Sequence, residues 1–156
     1  MDEEKRIIEE FIHFIKSKKN KQKQLPKLFH WAHAENTFLT HANLRHNDLF
    51  GRWLKEEVEL IDMCKIFMKE PILIKGMLKF KLKEVAKAMY NNKMITTKWE
   101  DNGVNDGLTA MIGACNYYKD KTDENKKLME KIGRYNDIDV KVLWEIVNYL
   151  RKNNCS

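Results

Sequence analysis

At 156 residues the chain is long enough for one domain with its own core. A hydrophobic fraction of 43%, with 4 Trp and 7 Phe, excludes a disordered chain, and no apolar run approaches the roughly 18 residues that span a bilayer. The net charge of +6 fits a polyanionic partner, although part of it lies in the run KSKKNKQK, residues 16–23, which a solvated loop also explains. Cys64, Cys115 and Cys155 form no C-x-x-C pair and are odd in number, as expected of reduced thiols in an intracellular protein, cytoplasmic or nuclear. The acidic, amphipathic N-terminus does not read as a signal peptide, so a secreted protein is not expected.

Asp2 to Lys18 reads as an amphipathic helix, with Ile7, Ile8, Phe11, Ile12, Phe14 and Ile15 on its apolar side. Asp2, Glu3 and Glu4 suit the positive end of its dipole. LPKLFHWA, residues 25–32, predicts a short buried strand, and His33 to His46 a helix. Their junction holds His30, His33 and Glu35, and carboxyl ends of strands in α/β sheets are where ligands bind. Glu35 also fits as a dipole-compensating acid in a first helical turn. The clustered histidines raise zinc, but no Cys lies near and H-E-x-x-H is absent.

Asn47 to Arg52 predicts a loop, after which Trp53 and Leu54 return to the core. Within VELIDMCKIF a second short strand ends at or near Asp62, whose carboxylate suits either a ligand site or a helix cap. Pro71 to Phe80 reads as an irregular connection and Lys81 to Asn91 as a helix. Lys75, Lys79, Lys81, Lys83 and Lys87, with Phe80 among them, either track a phosphate backbone or form a solvated face. Trp99 to Asp106 is turn-rich. Gly107 to Tyr118 reads as a helix in which Ala110, Gly113 and Ala114 admit a close neighbour, and Lys119 to Asn125 as a charged turn.

Lys131 to Arg151 reads as a helix with Ile138, Val142, Leu143, Ile146, Tyr149 and Leu150 on one face, flanked by Val140 and Val147. Asp139 falls within that apolar arc, one turn after Tyr135. A buried carboxylate needs a partner, here a metal ion, a cation or a water-filled cleft, unless Asp139 lies on the wet edge of a tilted helix. Two strands are too few for a free-standing sheet.

FHWAHAE, LIDMCKIF…FKLKEVAKAMY and GRYNDIDVKVLWEIVNYL together resemble three motifs of the DnaQ-like 3′–5′ exonucleases, of the ribonuclease H-like superfamily, in their YprB-type branch. The resemblance implies a ribonuclease H-like α/β fold, truncated, with few strands kept and mostly helical content, making residues 1–156 a single partial domain. It implies metal-dependent phosphodiester hydrolysis of DNA or RNA with two Mg²⁺ or Mn²⁺ ions. Asp139, Glu35 and Asp62 would be the metal ligands, with Glu35 on the side of the second metal; Tyr135, which would position the attacking water, Asp139 and Glu35 would be the catalytic residues, and Lys75, Lys79, Lys81, Lys83 and His30 would hold nucleic acid. The sequence departs from the family where Glu35 replaces an Asp, and no strand carries the family's first motif, Asp-x-Glu. An incomplete or inactive enzyme is therefore expected, unless an upstream domain or chain supplies the missing strands. The alternative is a degenerate nuclease-like module that binds nucleic acid or protein.

Overall fold

The computed structural model describes residues 2–19, 24–99 and 107–154. In order they form α1 (Asp2–Ser17), β1 (Leu28–His30), α2 (Ala34–Arg45), β2 (Leu60–Asp62), α3 (Met63–Lys69), α4 (Leu82–Asn91), α5 (Gly107–Lys119) and α6 (Asp123–Asn154). The result is a mostly helical chain with one small parallel sheet. It divides into two compact units, Met1–Ile72 and Leu73–Ser156.

In the first unit β1 and β2 pair in parallel, Leu28 opposite Leu60 and His30 opposite Asp62. A π-helical turn at Trp53–Glu57, unforeseen in the sequence, leads into β2 and is closed by the Val58 amide donating to the Trp53 carbonyl at 3.0 Å. It holds Trp53 in the core, as expected, where Phe11 of α1 meets the indole edge-on. Trp31 packs on Phe67, their ring centres 5.3 Å apart. The loop after α2 turns through Asn47 and Asp48, both at positive φ, which Asn and Asp tolerate better than most residues. Buried Asn43 secures that loop: its oxygen accepts the Phe50 amide at 2.7 Å and its amide donates to Asp48. A Cβ on Gly51 would lie 2.4 Å from the Asp48 carboxylate and would push it off the Asn43 amide.

In the second unit α5 and α6 form a helical hairpin. The small residues of α5 face α6 as expected: Gly113 is buried, and a Cβ on it would lie 2.9 Å from Leu128 and 3.0 Å from Ile132. The last helix begins at Asp123, eight residues before the expected Lys131. Thr122 explains the difference. Its hydroxyl accepts the Asn125 amide and its carbonyl the Lys126 amide, and Asp123 and Glu124 occupy the positive end of the dipole. These charges had suggested a turn. Leu128, Ile132, Tyr135, Val142 and Ile146 then follow one seam at successive spacings of four, three, seven and four residues. Val140 lies opposite that seam and is exposed, not on its flank as expected. On α4, Val85, Ala86, Ala88 and Met89 are buried. Asn92, which ends α4, donates to the carbonyls of Ala88 and Lys75 and so pins the segment before the helix to its far end.

Candidate functional site

The residues singled out in the sequence fall into two groups, one in each unit. His30, Glu35 and Asp62 belong to the first. His30 ends β1 directly opposite Asp62, which ends β2, so the register brings both to the carboxyl end of the parallel pair. Asp62 caps α3: its Oδ1 accepts the Lys65 amide at 3.2 Å and also the Ala32 amide at 3.0 Å. The second bond ties the turn after β1, where Ala32 has a φ of +64°, to the end of β2. Lys65 Nζ stands 3.8 Å from Asp62 Oδ2.

His30 is 7% exposed. Its Nδ1 has no hydrogen-bond partner among the described residues, and Glu35 Oε2, at 3.6 Å, is near enough for attraction to a charged imidazole but too far for a hydrogen bond. Glu35 itself is exposed, in the first turn of α2. His30, His33, Asn36, Asp62 and Lys65 border a cavity of about 540 Å³.

Tyr135, Asp139 and the lysines belong to the second unit. Asp139 is half-buried and accepts a hydrogen bond at 2.8 Å from the indole Nε1–H of Trp99. An indole N–H is thus one partner of this carboxylate, a donor that the periodicity of the helix does not name. Tyr135 is buried with Ile132, and Trp99, Ala110, Ala114, Leu128 and Met129 pack around the pair. The Lys83 ammonium sits 4.7 Å from the Tyr135 ring centre and 5.7 Å from that of Trp99, within cation–π range of both. Lys98 similarly stands 5.4 Å above Tyr90.

The segment bearing Trp99 is fixed by Glu145. Its carboxylate accepts the amides of Thr96 and Thr97 at 2.8 and 3.0 Å, and both their hydroxyls. Burial pushes the Glu145 carboxyl upward, but the Thr97 and Thr96 hydrogen bonds outweigh it and hold the group below the usual carboxylate range. Tyr90, Trp99, Lys98 and Glu145 were not singled out as site residues. Only the lysine-rich composition hinted at this face.

Residues 73–99 contain 7 Lys and a single acid, Glu84. Lys75, Lys79, Lys81, Lys87 and Lys98 are exposed, and none of these five has a carboxylate partner among the described residues. Within either unit, no three His, Cys, Asp or Glu side chains gather to hold a metal ion among the described residues. No protein-family model, curated protein or solved structure matches this chain. No helix among the described residues is long and apolar enough to cross a membrane.

Proposed function

We propose that the chain is a nucleic-acid-binding module whose second unit engages a single strand of DNA or RNA. The observation that carries this reading is the association of lysine ammoniums with aromatic rings around Trp99: Lys83 over Trp99 and Tyr135, and Lys98 over Tyr90. Single-strand binders combine cationic grooves with aromatic planes on which bases stack. Lys75, Lys79 and Lys81 extend the positive surface along the chain before and into α4. The test is fluorescence polarisation of a labelled 20-nucleotide single strand at low salt, with the matching duplex beside it. The reading expects binding that prefers the single strand and weakens with salt. No binding at low salt overturns it.

A second reading keeps the hydrolytic activity implied by the exonuclease resemblance. It is favoured by the placement of His30 and Asp62 opposite one another at the carboxyl ends of parallel strands, with Glu35 3.6 Å from His30. Incubation of labelled DNA and RNA with Mg²⁺ or Mn²⁺ decides it. Cleavage lost in both Asp62→Asn and Asp139→Asn supports it, and an uncut substrate or cleavage unchanged in both variants sinks it.

A further inference from the structure

The region between α4 and the 97–99 segment encloses a cavity of about 380 Å³, within the range of small-molecule sites. Among the described residues its lining is Lys83, Lys87, Lys98, Tyr90, Trp99, Thr97, Asn91 and Ala86, three cations and two aromatic rings with no carboxylate. The Trp99 ring is held in place twice over. Its Nε1–H is bonded to Asp139, and the ring packs on the Ile132–Tyr135 cluster. A ring fixed before the ligand arrives loses little entropy on stacking. Thr97 is committed to Glu145 through both its amide and its hydroxyl. Asn91 is exposed, and its side chain has no hydrogen-bond partner among the described residues, which leaves an amide at the rim for a sugar or base edge.

We propose that this cavity binds a nucleoside phosphate, its base stacked against Trp99 or Tyr90 and its phosphate held by Lys87 and Lys98. The assignment rests on the nucleic-acid reading above and narrows it to one nucleotide, either free or at the end of a strand. Neutral aromatic ligands would leave the Lys87 and Lys98 ammoniums unused, and inorganic phosphate would leave the rings unused. A nucleoside phosphate satisfies both with one molecule.

Isothermal titration calorimetry with adenosine 5′-monophosphate, adenosine and inorganic phosphate tests this on the full chain. Adenosine monophosphate should bind at least tenfold more tightly than either of the others. Lys87→Gln/Lys98→Gln should weaken it about tenfold with an unchanged circular dichroism spectrum, while Lys119→Gln, outside the cavity, should not. An oligonucleotide bearing a 5′-phosphate, compared with one ending in a hydroxyl, separates the two sources: preference for the phosphorylated end favours a strand terminus, and equal affinity favours the free nucleotide. If the oligonucleotides bind and adenosine monophosphate does not, the cavity assignment fails and the broader reading survives. If neither binds, both fail. Binding of adenosine monophosphate that Lys87→Gln/Lys98→Gln leaves unchanged places the ligand elsewhere and overturns the assignment.

Discussion

The two units use similar residues to different ends. In the first, basic side chains are matched with acids: Arg45 with Glu4, Lys16 with Glu57, Lys27 with Glu59, and Arg6 with both Glu3 and Glu10. Arg45, and then His46, holds the Glu4 carboxyl below its usual range against the opposing effect of desolvation. In the second, Lys75, Lys79, Lys81, Lys87 and Lys98 have no carboxylate partner among the described residues, and Lys83 and Lys98 also stand over aromatic rings. The formal charge follows the same division. Residues 73–156 hold 16 Lys and Arg against 11 Asp and Glu, which accounts for +5 of the chain's +6. Paired charges contribute to the fold by satisfying one another and offer little field to a partner. Charges without carboxylates nearby repel one another in the folded state, and an arriving polyanion relieves that repulsion.

Replacing lysines on the two sides separates these uses most strongly. Lys83, Lys87 and Lys98 changed together to Gln should weaken single-strand binding about ten- to a hundredfold at low salt. Lys16, Lys27 and Lys65 changed to Gln alter the net charge equally and should shift it by no more than about threefold. A polarisation titration of both variants checks this, and equal losses would mean that net charge alone is responsible.

Asp139→Ala removes the acceptor of the Trp99 indole, and an unpaired, partly buried N–H costs about 1–3 kcal/mol. Chemical denaturation should record that loss, while Asp139→Asn, which retains an acceptor oxygen, should recover most of it.

Glu145→Ala should cost about 1 kcal/mol by leaving the Thr96 and Thr97 donors to water. The Glu145 carboxyl is lower in the folded protein than in the unfolded chain, so its contribution is complete above the ordinary Glu value of about 4.3 and is lost as pH falls through the folded value. Melting curves between pH 6 and 3 should therefore fall more steeply for the wild type than for Glu145→Gln. Smallest of all, Lys27→Gln breaks an exposed pair with Glu59 and should change stability by no more than about 0.5 kcal/mol.

Much of the local structure was legible because it depends on near neighbours. The end of the second strand at Asp62, the helix after Lys81 and the small-residue face of α5 follow from apolar spacing and breakers, whereas the first strand, expected over residues 25–32, is confined to Leu28–His30. Periodicity also marked Asp139 as a carboxylate in need of a partner. It could not name Trp99, which lies 40 residues earlier and reaches Asp139 only through the fold. Glu145 was equally opaque, because it sits among the polar positions of its helix and its importance comes from Thr96 and Thr97, about 50 residues before it. The start of α6 was misplaced because the same charges that favour a turn also suit a helix N-terminus once Thr122 caps it.

The claim that the second unit binds nucleic acid through the lysines of α4 and of the segment before Trp99 is tested most directly by the salt dependence of single-strand binding. Association constants for wild type and the Lys83, Lys87 and Lys98 triple Gln variant would be measured between 50 and 200 mM salt. Each lysine–phosphate contact contributes about 0.7 to the slope of log affinity against log salt for a single strand. The account predicts that the variant's slope is shallower than the wild type's by about 2. Identical slopes would show that these lysines touch no phosphate and would contradict it.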